Sequence, residues 1–140
     1  MPNKSTMSRL VIDTNCLIQC ISRRSAYHDL WLSLLDGRNS LCVSTEILDE
    51  YAEIIEKYTS PVFAESALGV ITNNPFTLFI NPYFNFKLIS ADPDDNKFID
   101  CAIAANAKYV VTEDSHFEIL KHIDFPKVNL ISLDDIIKCI

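Results

Sequence analysis

The chain has 140 residues, 49% apolar and 22% charged, with 12 Lys and Arg against 19 Asp and Glu for a net charge of −7. That length allows one core burying roughly two-thirds of the unfolded surface, and the composition is that of an ordinary soluble globule. The acidic balance excludes a protein that coats nucleic acid by electrostatics alone. The longest apolar stretch, Phe76 to Ile89, is interrupted by Asn81, Pro82, Asn85 and Lys87 and is too short to span a bilayer.

Arg9 to Ile12 is a short apolar run ending at Asp13, the pattern of a buried strand. Thr14 and Asn15 can cap the helix that follows, which is predicted through Ile21 and again from Tyr27 to Leu35, with Gly37 as the stop. Leu41 to Val43 is a second strand, and Ser44 caps a helix from Thr45 to about Tyr58. Pro61 opens another helix to Val70. The alternating, aromatic stretch Tyr83 to Ile89 predicts a third strand. A helix from Asp94 and Asp95 to Asn106, a strand at Lys108 to Val111 and a short helix at Ser115 to Lys121 follow. Val128 to Ile131 is a fifth strand, and Ser132 caps a closing helix from Leu133 to Ile140. Short apolar strands alternating with helices predict an α/β fold, a parallel sheet between two helical layers, with ligand beyond the carboxyl ends of the strands.

The N-terminal stretch Met1 to Met7 has no apolar signal-peptide core, so a cytoplasmic protein is expected. Cys16, Cys20, Cys42, Cys101 and Cys139 form no C-x-x-C pair and are expected to be reduced, buried thiols, not disulfides or a zinc site.

Acids fall at the expected ligand edge. Asp13 closes the first strand and Asp114 follows the fourth, while Asp95 starts a helix beyond the third. On the helix from Thr45, Ile47, Leu48, Tyr51, Ile54 and Ile55 form the apolar arc at roughly 100° per residue. Glu50 lies on its margin, Glu46 is the runner-up, and Asp49, Glu53 and Glu56 form a solvated face. Each acid also has a plainer role as a helix cap or dipole partner, but Thr14 and Asn15 can cap in place of Asp13. Asp95 shares a face with Ile99 and Ala102 and is expected to point at the sheet, with Asp92 and Asp94 as turn residues and Asp100 off that face. Glu113 competes with Asp114 to cap the next helix, and the Thr112 hydroxyl favours Asp114. Buried carboxylates at one edge are costly unless paired, and the natural partner is a hard cation, Mg²⁺ or Mn²⁺. Asp13, Glu50, Asp95 and Asp114 are therefore the expected metal-binding and catalytic set, with Asn15 and Thr112 orienting them, in an enzyme acting on phosphates. His28, His116 and His122 read as surface or packing residues, and only His116, close after Asp114, stands near the set.

At these residues the chain resembles the PIN-domain family, and within it the VapC-like toxin ribonucleases of prokaryotic toxin–antitoxin modules, from about Arg9 to Ile131. Leu10 to Asn15 is similar to the family's opening motif and Ser44 to Glu50 to its second. Asp92 to Phe98 leading into Ala102 to Ala107 is similar to the third, and Val110 to Asp114 to the fourth. The resemblance implies a three-layer fold with a five-stranded parallel sheet, residues 1–8 as an N-terminal extension and 9–140 as one nuclease domain. It also implies one or two Mg²⁺ or Mn²⁺ ions, single-strand-specific ribonuclease activity, frequent homodimers, and a cognate antitoxin that inserts a segment into the active site. The aromatic run Phe76, Phe79, Tyr83, Phe84 and Phe86 has no counterpart in that pattern, and an exposed member of it is expected to serve a partner or RNA. Lys97, Arg23 and Arg24 are the nearest candidates for phosphate contact.

Two alternatives compete with an RNA-cleaving enzyme. One is a phosphatase using Asp13 as covalent nucleophile, in the manner of the haloacid dehalogenase-like enzymes, although those carry a second Asp where this chain has Asn15. The other is a fold that binds a partner without catalysis.

Overall fold

The computed structural model describes residues 7–89 and 93–140. Its strands are β1 (Ser8–Ile12), β2 (Asn39–Val43), β3 (Leu78–Phe79), β4 (Tyr109–Val111) and β5 (Leu130–Ile131). They pair in parallel in the order β3-β2-β1-β4-β5. From β1 the chain winds outward through β2 to β3, then crosses back to place β4 on the other side of β1. The carboxyl ends of β1 and β4 therefore flank the point where strand order reverses, the usual ligand crevice of such sheets.

The helices are α1 (Thr14–Ile21), α2 (His28–Asp36), α3 (Thr45–Tyr58), α4 (Pro61–Asn73), α5 (Asn96–Ala105) and α6 (Leu133–Cys139). Their starts follow local chemistry. Ser44, Ser60 and Ser132 each accept the backbone N–H three residues on, satisfying a donor that the first turn leaves unpaired. Gly37 ends α2 at φ 85°, and a β-carbon there would lie 2.9 Å from the Phe76 ring, so the position demands glycine on two counts.

β1 and β2 are buried along Leu10, Val11, Ile12, Leu41, Cys42 and Val43, and Ile47, Tyr51 and Ile55 of α3 pack into the same core. Tyr51 is fully buried and donates its hydroxyl to the Ile12 carbonyl at 2.5 Å. That bond fixes α3 against the end of β1, one residue before Asp13.

The structure departs from the sequence expectations at several points. The third strand is not Tyr83 to Ile89 but Leu78–Phe79, whose register pairs Cys42 with Leu78 and Val43 with Phe79. Residues 81–89 form no regular element; Tyr83 and Phe84 are 86% and 71% exposed, and Lys87 takes φ 54°. An aromatic alternation signals a strand only when one face has a sheet to cover, and this one has none. Asp94 and Asp95 form a 3-10 turn (Pro93–Asp95) before α5, and Ser115–His122 is also 3-10. Asp100 does not lie off the packed face but is buried, its Oδ1 accepting the Phe86 N–H at 3.1 Å. All five cysteines are free thiols, but Cys139, in the last turn of α6, is exposed and not buried. Asp92 lies outside the described residues. Among the described residues no helix is long and apolar enough to cross a membrane.

Candidate metal centre

Asp13 leaves β1 with its backbone N–H bonded to the Val111 carbonyl of β4 at 3.0 Å. Contrary to the expectation that Thr14 and Asn15 would cap α1 and leave Asp13 free, Asp13 is itself the N-cap, Oδ1 accepting the Cys16 N–H at 2.9 Å. A carboxylate has two oxygens, so capping uses only part of it. Oδ2 accepts the Thr112 hydroxyl at 2.5 Å. Burial pushes the Asp13 pKa up, the Thr112 and Cys16 hydrogen bonds pull it back, and the nearby Asp114 charge adds to the upward push.

Thr112 bridges to the next acid, its Oγ1 accepting the Asp114 N–H at 3.0 Å. Asp114 in turn caps the following 3-10 turn, taking the His116 N–H at 2.9 Å. Glu113, its rival in sequence, accepts the Leu133 N–H that opens α6 and lines the cleft beside Asp13 and Asp114. The 3-10 geometry after Asp114 brings the His116 ring back over the acids, with Nδ1 3.4 Å from Asp95 Oδ2 and 3.5 Å from Asp114 Oδ1. Among the described residues, Asp95, Asp114 and His116 are the set whose donor atoms all lie within 4.8 Å of one another.

Glu50 reaches the cluster from α3 on the other side. Its Oε2 accepts the Thr14 hydroxyl and its Oε1 pairs with Lys97 Nζ at 2.8 Å. Lys97 also donates to the Asp94 carbonyl at 2.7 Å, tying the start of α5 to α3. Glu46, one turn earlier, is exposed. Thus Asp95 and Asp114 converge directly, Asp13 joins them through Thr112, and Glu50 stands beside Asp13 through Thr14 but outside the converging triad. Asn15 is exposed and lines a cleft of about 460 Å³ with Asp13, Tyr58 and Asp114; among the described residues its side chain makes no hydrogen bond.

Three participants fall outside the expected metal set: His116, which the sequence left as the one histidine near it; Lys97, expected only as a phosphate contact; and Thr14, expected only as a helix cap. Proximity in sequence to Asp114, Asp95 and Asp13 was the available signal, and the contacts themselves come from the 3-10 turn folding back over its cap and from α3 and α5 meeting.

The donor set fits a divalent cation. Carboxylate oxygens from two strand ends and a 3-10 turn suit Mg²⁺ or Mn²⁺, and an imidazole nitrogen beside them shifts preference toward the softer Mn²⁺. Mutual repulsion of close acids is relieved by such an ion, which also turns an acidic edge attractive to phosphate.

A parallel sheet in 3-2-1-4-5 order with acids gathered at its switch point defines an α/β fold whose candidate site lies at the carboxyl edge of its strands. The chain belongs to the PIN domain family, whose model matches residues 9–116. Among curated protein sequences none matches significantly. Among solved structures the chain is similar to VapBC2 from Rickettsia felis bound to a promoter DNA fragment, with TM-score 0.62 and 19% identity over 89% of this chain and 98% of that one. It is similar to DNA-bound VapBC from Salmonella typhimurium, with TM-score 0.59 and 17% identity over 91% and 99%. The PIN domain endonuclease Utp24 aligns with TM-score 0.55 and 15% identity over 93% and 88%. At these identities the likeness is one of fold.

Proposed function

We propose that this chain is a metal-dependent endoribonuclease, the toxin of a toxin–antitoxin module, that hydrolyses RNA phosphodiester bonds with water as nucleophile. The observation that carries the reading is the convergence of Asp95, Asp114 and His116, with Asp13 joined to them through Thr112, at the switch point of the sheet. Asp13, Glu50, Asp95 and Asp114 would hold Mg²⁺ or Mn²⁺, directly or through water. When bound, such an ion acidifies water and offsets charge that builds on the phosphate.

The chain's own groups do the remaining work. Thr112 and the Cys16 N–H hold the Asp13 carboxylate in one orientation, so it need not reorganise when substrate arrives. Lys97 compensates Glu50 and is our candidate cation for an RNA phosphate. No side-chain nucleophile is required. The nearest thiol, Cys16, is buried and its pKa is pushed up by that burial, so it stays protonated. Asp13, with both oxygens engaged, is a poor covalent nucleophile, which argues against the aspartyl-phosphatase alternative.

The VapBC complexes among similar folds support a cognate antitoxin as partner, and the same reading includes a homodimer in the cytoplasm. The exposed Phe79, Tyr83 and Phe84 meet the expectation that the aromatic run reaches the surface. The test is incubation of single-stranded RNA with the purified chain, with and without chelator. Ion-dependent cleavage leaving 5′-phosphate and 3′-hydroxyl ends is expected; cleavage in chelator leaving 2′,3′-cyclic phosphates would reject the water mechanism.

A further inference from the structure

Beyond the cluster of acids, a second concavity of about 360 Å³ opens between the end of β3, the first turn of α3 and the first turn of α5. Its walls include Glu46, Phe79, Asn81, Asn85, Lys97 and Asp100. Lys97 belongs to both places: its ammonium pairs with Glu50 at 2.8 Å while its side chain lines this pocket. Whatever fills the pocket therefore sits one side chain away from the candidate metal centre.

The lining is chemically specific. Phe79 is 59% exposed, a ring held at a sheet edge with a face open to stacking. Asn81 and Asn85 offer amides that both donate and accept, and both are exposed. Asp100 is 6% exposed, and Oδ1 is used by the Phe86 N–H while Oδ2 makes no hydrogen bond among the described residues. Glu46 is close enough that its charge acts on Asp100. With Oδ1 held by the backbone and Asp100 lining the pocket, the other oxygen is available to a ligand's donor. A group presenting adjacent N–H donors beside a flat ring complements this lining.

We infer that this pocket selects a nucleobase next to the scissile phosphate, and that the base it takes is guanine. Single-stranded RNA is read by splaying a base onto an aromatic ring and hydrogen-bonding its Watson–Crick edge. Guanine presents N1–H and the 2-amino group side by side, a match for a carboxylate such as Asp100, and its O6 accepts from the amide of Asn81 or Asn85. Uracil presents one N–H flanked by two carbonyls, which a carboxylate repels. Adenine and cytosine offer one amino group beside a bare ring nitrogen.

The inference rests on the reading of the chain as an enzyme that acts on RNA, and its test avoids the metal chemistry. The trinucleotides UGU, UAU, UCU and UUU compete with a labelled oligoribonucleotide for the full chain in chelator, read by fluorescence anisotropy. UGU should bind about tenfold tighter than the others, the discrimination of one good bidentate contact. Asp100→Asn, which keeps an acceptor for Phe86, should bring the four within about twofold, since an amide has one acceptor oxygen and its nitrogen can only donate. Asn85→Ala, at an exposed position, should also narrow the preference. Phe79→Ala should weaken all four alike, because stacking is indifferent to sequence.

Equal binding of the four by the wild-type chain, or a guanine preference that survives both Asp100→Asn and Asn85→Ala, overturns the inference. So does Asp100-dependent binding of an arginine-bearing peptide by a chain that binds none of the trinucleotides, which would assign the pocket to a protein segment. Ion-dependent RNA cleavage without guanine preference sinks the pocket and leaves the nuclease standing; guanine preference without any cleavage does the reverse.

Discussion

Thr112 donates its hydroxyl to Asp13 Oδ2 at 2.5 Å. Thr112 Oγ1 in turn accepts the Asp114 N–H, so one side chain just past β4 sets the orientation of the acid that follows β1 and the backbone of the acid that follows β4 together. Thr112→Val keeps the shape and removes both bonds. RNA cleavage should fall about 10–100-fold, the usual cost of losing a group that orients a metal ligand. Thermal stability should fall as well, because a buried carboxylate loses a donor. Unchanged cleavage kinetics would show that the bridge does not matter to the site.

Asp13 carries the clearest pH signature. Its pKa in the folded chain is raised above the ordinary 3.8, first by burial. The folded state thus holds that proton more tightly than the unfolded chain does. Stability from this group is fully present below 3.8 and is lost as pH rises through the folded value. Asp13→Asn cannot ionise, so in chelator at about pH 7 it should melt at or above the wild-type temperature, and the difference should shrink toward about pH 4. It should also abolish ion-dependent cleavage. A large loss of melting temperature at neutral pH would contradict this assignment.

Two acids on α3 separate cleanly. Glu50 is held by Thr14 and Lys97 beside Asp13, whereas Glu46 is exposed one turn away. Glu50→Gln should remove ion-dependent cleavage, and Glu46→Gln should change its rate little. Rates measured on one RNA for both variants decide the matter, and the reverse ranking would move the metal centre toward the other cavity.

What could be read from sequence divides by the range of the interaction. Ser44 by a bond within its own turn, and Gly37 and Pro61 by their backbone conformations, set helix ends, and the helix boundaries follow them closely. The strand before Asp13 and the strand before Asp114 were legible because each is a buried apolar run. β3 was not, since two residues at Leu78–Phe79 become a strand only by pairing with β2. The 83–89 segment, exposed through Lys87, mimicked one by alternation alone. Within the site, acids at strand ends could be named in advance, but the His116 ring over Asp95, the Lys97 bridge to Glu50 and the burial of Asp100 are products of elements meeting in space. That Asp13 caps α1 while also facing Thr112 reflects a two-oxygen side chain doing two jobs, which a one-role reading of caps misses.

If Asp95 and Asp114, with Asp13 and Glu50 beside them, hold the ion on which RNA cleavage depends, ion binding and cleavage must be lost together. Manganese binding followed by electron paramagnetic resonance, alongside cleavage of the same RNA, tests it most directly in the wild-type chain and in Asp114→Asn. The wild type should bind Mn²⁺ and cut RNA only with it, and Asp114→Asn should lose both together, with Mn²⁺ affinity down about tenfold or more. Cleavage without any bound divalent ion, or an Asp114→Asn chain that binds Mn²⁺ and cuts RNA as the wild type does, would contradict it.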